Sequence, residues 1–208
     1  MSALAQLIRC AGHGVSGSDR AFDRLQQTEL KNALQSIGIK IVSQDGRGLG
    51  PHIDRVIFSA AVEKDNPDLL RATALTIPLI RRAALLAEIF DRQTGIAIAG
   101  TSGKSTVAAM RTVILKELKL DPTYYGGAAL LGFEGPPLLA NARPGGGIYF
   151  CAETDESDGS FLEFHPKTAI ITNITKDHKP TEELMDLFER FVRQTEQALV
   201  LNADCPLT

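Results

Sequence analysis

A glycine-rich turn with a lysine and two hydroxyl residues follows an apolar stretch and precedes a helical pattern, in residues 95–106, GIAIAGTSGKST. Glycine lets the backbone turn sharply so that successive N–H groups face one concavity, and the following helix adds the positive end of its dipole. In such a cradle Lys104 would reach the terminal phosphates of a nucleotide, and Ser105 would offer its hydroxyl to Mg²⁺. Ile98 stands where the strict pattern has another glycine. Strand, two glycines, Lys-Ser-Thr and helix in register still predict a phosphate site rather than an ordinary turn.

Two polar segments lie downstream, each directly after an apolar strand pattern. Residues 153–158, ETDESD, follow the pattern at 148–152, and residues 173–178, NITKDH, follow the pattern at 169–172. Open α/β sheets bind ligands at the carboxyl ends of their strands, and Mg²⁺ prefers carboxylate, water and phosphate oxygens. The first segment therefore predicts a magnesium site, with a solvated acidic loop as the alternative. His178 would more often be structural in isolation, but its position beside this site favours a functional role.

The elements that must position these groups alternate between strand and helix, which is typical of an α/β fold. Helices are expected at 3–11, 24–36, 67–74, 81–90, 107–118 and 181–194. Strands are expected at 13–16, 39–43, 55–59, around 77, from 95 into the cradle, and at 148–152, 169–172 and 198–201. The glycine- and proline-rich residues 126–147 are expected to form a loop.

Composition excludes several classes of protein. The chain has 208 residues and a net charge of −3, so it offers no global basic surface for nucleic acid. Its apolar runs are too short to span a bilayer, and its N-terminus lacks the features of a secretory signal, so we expect no membrane partner and a cytoplasmic location. Cys10, Cys151 and Cys205 form no Cys-x-x-Cys pair, which favours reduced thiols over a disulfide or zinc framework.

Taken together, the motifs resemble the Mur ligase family, ATP-dependent enzymes that join an amino acid or peptide to a carboxylate of a nucleotide-linked muramyl precursor. The strings that carry the resemblance are SGSD at 16–19, SAAV at 59–62, DNP at 65–67, IP at 77–78, LAE at 86–88, GTSGKST at 100–106, AETDESDGSFL at 152–162, ITNITKDH at 171–178 and NAD at 202–204. They span nearly the whole chain in the family's order. The alanine-adding and murein-peptide-recycling branches are the most similar.

The resemblance implies two incomplete domains. Residues 1–88 would form a partial Rossmann-like N-terminal domain that holds a UDP-sugar, without its first strand and glycine loop. Residues 89–208 would form an incomplete P-loop central domain that binds ATP on a mainly parallel sheet. The rest of that domain and a C-terminal domain would lie outside this chain, which therefore looks truncated at both ends.

The resemblance also implies a reaction in peptidoglycan synthesis or recycling. A substrate carboxylate would attack the γ-phosphate of ATP to give an acyl phosphate, and an amine would displace phosphate to form an amide, with Mg²⁺ neutralising charge. Motif matching assigns catalytic roles to Lys104, Glu153, Asn173 and His178. It assigns magnesium contacts to Ser105, Glu153 and His178, and cradle contacts to Gly100, Thr101, Ser102, Gly103, Lys104, Ser105 and Thr106. Contacts to the UDP-sugar fall on Ser18, Asp19 and Ser59, for which turn and cap roles are equally good interpretations.

Three departures from the family pattern bear on the substrate. After His178 the family commonly continues with an apolar residue and aspartate, whereas this chain has Lys179 and Pro180. Ser102 stands where the alanine-adding enzymes usually carry histidine, and Cys205 stands where a second aspartate is expected after Asp204. The natural acceptor and the amino acid added are therefore open, and a ligase for a non-muramyl carboxylate is an alternative. A nucleotide-binding module without turnover is a hypothesis of a different class. A P-loop hydrolase is weaker, because no guanine-recognition motif is evident. The sequence leaves the oligomeric state open.

Overall fold

The computed structural model describes residues 1–130, 139–175 and 180–208. Within them the chain separates into two units. The first comprises Met1–Leu85 together with Leu139, and the second comprises the described residues from Leu86 onward apart from Leu139. Both units combine strands with helices, which confirms the predicted α/β class. Among the described helices none is both long and apolar enough to cross a membrane.

The first unit is built on short parallel strand pairs with helices around them. Its helices are α1 (Ser2–Cys10), α2 (Arg20–Asp23), α3 (Thr28–Ser36) and α4 (Pro67–Ala74). Its strands are β1 (Ser16–Gly17), β2 (Lys40–Ile41), β3 (Val56–Phe58) and β4 (Leu79–Arg81), and β1 pairs with β2 while β3 pairs with β4, both in parallel. A cluster of Phe22, Leu34 and Ile39 forms part of the apolar core.

Local chemistry explains where α4 begins. Asn66 precedes the helix, and its side-chain oxygen accepts hydrogen bonds from Asp68 N at 2.9 Å and Leu69 N at 3.4 Å. Pro67 occupies the first helical position, where its missing N–H costs no intrahelical bond. The helix was predicted at the same residues, 67–74, because both signals are contiguous in the sequence.

The helix predicted at 24–36 is wrong over its first turn. Leu25 and Gln27 have φ values of 57° and 52°, in the left-handed region that a right-handed helix excludes, and α3 begins only at Thr28. Upstream, α2 is a separate four-residue helix that ends at Asp23. The first four positions of the predicted helix thus lie between two separate helices.

The second unit carries the larger sheet. Its elements are β5 (Thr94–Ala99), α6 (Lys104–Glu117), β6 (Thr123–Tyr125), β7 (Ala142–Arg143), β8 (Tyr149–Glu153), a short 3₁₀ helix (Ser160–Glu163), β9 (Thr168–Ile171), α7 (Thr181–Arg193) and β10 (Ala198–Leu201), and α5 (Arg82–Asp91) precedes them. The described strands form a six-stranded sheet in the order β10-β9-β5-β8-β6-β7. All neighbours run in parallel except β6 and β7. This confirms the mainly parallel sheet implied by the resemblance.

Burial of the central strand explains why it is a continuous apolar run. Residues 96–99 of the central strand β5 are at most 2% exposed, as expected for a parallel strand covered on both faces. Beyond β8, Phe161 is fully buried and lies against Phe188 and Phe191 of α7, with ring centroids 5.3 and 4.7 Å apart. This aromatic contact anchors the chain just after the acidic segment 153–158.

The loop predicted at 126–147 is wrong at its far end. Ala142 and Arg143 form β7, which pairs antiparallel with Tyr124 and Tyr125 of β6. A strand of two residues has no periodicity to detect, and its pairing depends on a partner many residues away. Residues 131–138 of this range lie outside the described part of the chain.

Candidate nucleotide-binding site

The glycine-rich turn joins the end of β5 to the start of α6 through two left-handed glycines. Gly100 has φ +129° and Gly103 has φ +78°. At Gly100 a Cβ atom would lie 2.2 Å from Thr172 Oγ1 and 2.9 Å from the backbone oxygen of Asn173, so only glycine fits there. Around Gly103 no heavy atom lies within 4 Å of a Cβ position. The turn therefore packs closely on one side and leaves open space beside the first residues of α6.

Lys104 folds back over this turn. Its Nζ donates to the backbone oxygen of Gly100 at 2.7 Å and to the Glu156 carboxylate at 2.9 and 3.1 Å. The pair is nearly enclosed, because the side chains of Lys104 and Glu156 are only 15% and 4% exposed. The ammonium group that would face nucleotide phosphates is thus held at the cradle by a buried carboxylate.

Ser105 and Glu153 meet at the same edge of the sheet. Ser105, in the first turn of α6, donates its hydroxyl to Glu153 Oε2 at 2.9 Å, and Gly127 N donates to the same oxygen at 2.8 Å. Glu153 is the last residue of β8, the strand beside β5. A hydroxyl and a carboxylate at hydrogen-bond distance are oxygen donors of the kind that Mg²⁺ uses, so the residues fit that ion.

This donor set is incomplete as an all-protein metal site. In the part of the chain that the structure describes, no three His, Cys, Asp or Glu side chains cluster closely enough to hold a metal. Mg²⁺ usually retains water and phosphate ligands beside one or two carboxylates, so this arrangement suits an ion that arrives with a nucleotide. His178, the other predicted magnesium contact, lies outside the described residues.

Asn173 braces the turn from the end of β9. Its Oδ1 accepts from Thr101 Oγ1 at 2.7 Å and from Ser102 N at 3.0 Å, and its Nδ2 donates to Ser102 Oγ at 2.9 Å. Thr175 adds a contact between its hydroxyl and that of Thr101 at 2.8 Å. Three of the predicted residues are therefore brought together. Thr106 is exposed in the first turn of α6. The role of Asn173 near the reacting phosphate stays a prediction.

In the first unit, Ser18 and Asp19 follow β1, and each makes a hydrogen bond within the unit. The Ser18 hydroxyl donates to Asp68, whose other oxygen accepts from Gly46 N at 2.7 Å. Asp19 Oδ1 accepts from Ala21 N at 2.8 Å and caps α2. The Asp19 contact is of the cap type that the sequence held open, whereas the Ser18 contact joins side chains 50 positions apart. Ser59 follows β3 and is partly buried, and the predicted UDP-sugar contacts of all three stay predictions.

Sequence reasoning missed Glu156, Thr175 and the backbone N–H of Gly127. Glu156 lies within the acidic segment 153–158, and Thr175 lies within the segment 173–178. The sequence therefore indicated the segments that contain them, but not these two residues. The sequence of the acidic segment does not show which carboxylate turns inward, because that depends on the pairing of Glu156 with Lys104 of α6. Gly127 belongs to a glycine-rich loop and carried no signal of its own.

Cys205, at the position where the resemblance implies an aspartate, contacts the segment after β9. Ile174 N lies 3.4 Å from Cys205 Sγ, and the N–H groups of Ile174 and Leu207 lower the pKa of the thiol below its usual value. The sulfur thus accepts backbone hydrogen bonds and ties β10 to the residues that follow β9. All three cysteines are free thiols.

Two family models match the chain in succession. The model described as Mur ligase family, catalytic domain, matches residues 1–94, and the model of the Mur ligase middle domain matches residues 98–208.

Curated relatives agree with these matches. The UDP-N-acetylmuramate–L-alanine ligase of Geotalea uraniireducens is 39% identical over 198 residues, which are 93% of this chain and 41% of the relative. The enzyme of the same name from Fusobacterium nucleatum is 36% identical over 209 residues, which are 99% of this chain and 42% of the relative. The chain thus spans about two fifths of the length of these relatives.

Solved structures show the same fold. The UDP-N-acetylmuramate-alanine ligase of Thermotoga maritima has a TM-score of 0.87 and 31% identity, and the match covers 100% of this chain and 47% of that one. A UDP-N-acetylmuramate:L-alanyl-gamma-D-glutamyl-meso-diaminopimelate ligase from Neisseria meningitides also has a TM-score of 0.87, with 22% identity and coverage of 100% and 69%. The second likeness concerns the fold alone.

Proposed function

The chain belongs to the Mur ligase family, and from this premise we propose that it holds the ATP of a ligase that joins a UDP-N-acetylmuramate-type carboxylate to an amino acid or peptide. The observation that carries the proposal is the cradle itself. Lys104 and the Ser105–Glu153 pair lie together where β5 and β8 end, behind a turn that only glycine can make. The names of the relatives favour peptidoglycan synthesis or recycling as the setting.

Different residues of the chain would bind the phosphates and the Mg²⁺ ion. The turn and the N-terminus of α6 would receive the phosphates, and Lys104 would neutralise charge that develops on the γ-phosphate. Ser105 and Glu153 would hold Mg²⁺, which when bound supplies further charge neutralisation and orients phosphate oxygens. His178 is proposed for a second Mg²⁺ or its water shell. Asn173 would keep the turn in shape beside the reacting phosphate.

The proposed reaction has two steps, phosphoryl transfer to the substrate carboxylate and then amide formation. A substrate carboxylate oxygen bonds to the γ-phosphorus of ATP while the bond to the bridging oxygen breaks and ADP leaves. An amine nitrogen then bonds to the acyl carbon, the carbon–oxygen bond to phosphate breaks, and the nitrogen loses a proton.

The UDP-sugar is proposed to contact Ser18, Asp19 and Ser59 of the first unit. Three free thiols support a reducing compartment, so we place the reaction in the cytoplasm.

Calorimetry with purified chain tests the nucleotide site. ATP with excess Mg²⁺ is expected to bind saturably, and AMP under the same conditions is expected to bind at least about tenfold more weakly, because it lacks the phosphates that the cradle receives. Equal affinities for AMP and ATP, or no heat with either nucleotide, would contradict the assignment.

Amide formation by the 208-residue chain alone is expected to be undetectable. The chain spans about two fifths of its relatives' length, and acyl transfer needs both substrates aligned beside ATP. The assay combines ATP, Mg²⁺, UDP-N-acetylmuramate and L-alanine and measures the amide product and phosphate. A full-length relative serves as the positive control. Sustained product from the isolated chain would show that it is a complete ligase.

Glu153→Gln is expected to raise the Mg²⁺ concentration needed for half-maximal ATP binding by about tenfold or more, because an amide oxygen is a weaker magnesium ligand than a carboxylate. Magnesium titrations at fixed ATP measure this. Glu163→Gln is the matched control, since Glu163 is an exposed carboxylate in the 3₁₀ helix that follows the acidic segment. Superimposable magnesium curves for Glu153→Gln and wild type would remove Glu153 from the metal site.

A further inference from the structure

Glu156 accepts hydrogen bonds from the Lys104 ammonium group, on which phosphate binding at the cradle depends. Both of its carboxylate oxygens accept from Lys104 Nζ, at 2.9 and 3.1 Å, and the Gly100 oxygen accepts at 2.7 Å. An ammonium group has three N–H donors, so these contacts use its hydrogen-bonding capacity. A phosphate oxygen that approaches Lys104 must therefore compete with a carboxylate already in place.

This competition is costly for an anion because Glu156 is buried. The residue is only 3% exposed, and a buried carboxylate that loses its cation is strongly destabilised. Glu153 lies nearby in sequence on the same strand end and is directed at Ser105. Two carboxylates and one ammonium group thus lie beside the turn, and their net charge is negative. A polyphosphate without a cation meets repulsion there.

We propose that Glu156 determines which form of the nucleotide the cradle accepts, by excluding metal-free ATP and admitting the magnesium complex. Provided that the cradle binds ATP, as its family membership leads us to infer, Mg²⁺ compensates the carboxylates and the phosphates together. Lys104 can then exchange Glu156 for phosphate without leaving an uncompensated buried charge. Glu156 acts through Lys104 and through the local field, so it is a specificity and positioning residue rather than a catalytic one.

The decisive experiment compares ATP binding in EDTA and in excess Mg²⁺ by calorimetry. For wild type, affinity in EDTA is expected to be at least about thirtyfold weaker than in Mg²⁺. Glu156→Gln keeps the side-chain size and removes the charge, so its affinity in EDTA should rise by about tenfold or more while its affinity in Mg²⁺ changes by less than about threefold.

Asp158→Asn is the matched control on the same segment. Asp158 is exposed, and its Oδ1 accepts from Ser160 N at 2.9 Å, a contact that asparagine can keep. Because an exposed charge is screened by solvent and salt, this variant should leave the ratio of the two affinities within about twofold of wild type. An equal gain in Asp158→Asn would overturn the proposal, since total charge rather than Glu156 would then set the requirement.

The other outcomes are also separable. Unchanged or weaker binding in EDTA by folded Glu156→Gln that still binds the magnesium complex overturns the role of Glu156 and leaves the ATP site intact. If wild type binds ATP equally well with and without Mg²⁺, the proposed role of Glu156 is overturned. This comparison needs no variant, so it holds even if Glu156→Gln fails to fold. Wild type that binds no nucleotide in Mg²⁺ instead contradicts the proposed function.

Discussion

Lys104→Ala is expected to weaken the binding of ATP with Mg²⁺ by at least about a hundredfold, because it removes the one ammonium group that the cradle presents from α6. Charge-assisted hydrogen bonds contribute about 1.5–3 kcal/mol each, and phosphate would lose such bonds together with the neutralising charge. Calorimetric titration of ATP in excess Mg²⁺ measures the loss. Unchanged affinity would remove Lys104 from the site.

The same substitution leaves Glu156 buried without its cation, so a loss of binding could reflect a loss of folding. The double variant Lys104→Ala with Glu156→Gln removes both charges, and we expect it to recover much of the thermal stability but none of the affinity. Lys64→Ala, at an exposed position of the first unit, controls for net charge and should bind ATP as wild type does. Recovery of affinity in the double variant would mean that folding, rather than phosphate contact, explains the single variant.

Gly100→Ala is expected to destabilise the second unit by about 3 kcal/mol or more, which corresponds to a fall of roughly 6 °C or more in Tm for a chain of this size. The backbone there has φ +129°, and a methyl group would lie 2.2 Å from Thr172 Oγ1 and 2.9 Å from the Asn173 oxygen. Relief of that overlap would push the turn away from the end of β9. We therefore expect ATP affinity to fall as well. Thermal unfolding followed by circular dichroism, with calorimetry, measures both effects.

Gly103→Ala is the matched control, because Gly103 shares the left-handed backbone but has open space around it. Its cost should be limited to backbone strain, about 1 kcal/mol. Adding Thr172→Ala to Gly100→Ala removes one of the two overlapping atoms and should restore part of the lost stability. Equal losses for the two glycine variants would show that steric overlap at Gly100 is unimportant.

Contiguous signals made much of the fold predictable. The helix at 67–74 and the strand at 198–201 were predicted at the residues where the structure has them, because cap residues or an apolar run define each segment locally. The glycine-rich turn at 100–106 was also predictable from contiguous residues. Its glycines, lysine and serine lie within seven residues, 100–106, and they act through the conformation of one turn.

Errors arose in short segments whose conformation the periodicity of the sequence does not reveal. The pattern at 24–36 contains enough helix-forming residues for one helix, yet left-handed residues at 25 and 27 delay its start to Thr28. The two-residue strand β7 exists because β6 pairs with it. Short segments have weak intrinsic preferences, so their conformation follows from packing and pairing rather than from periodicity.

By itself the sequence determined the family, the α/β class and the glycine-rich turn between β5 and α6, because motif residues and apolar periods are properties of consecutive positions. Only the tertiary structure decided how the motifs meet. The order of the strands brings the end of β8 to one side of β5 and the end of β9 to the other. That arrangement gives Ser105 its contact with Glu153 and the turn its brace from Asn173. It also buries Glu156 against Lys104, a pairing 52 positions apart that no local pattern encodes.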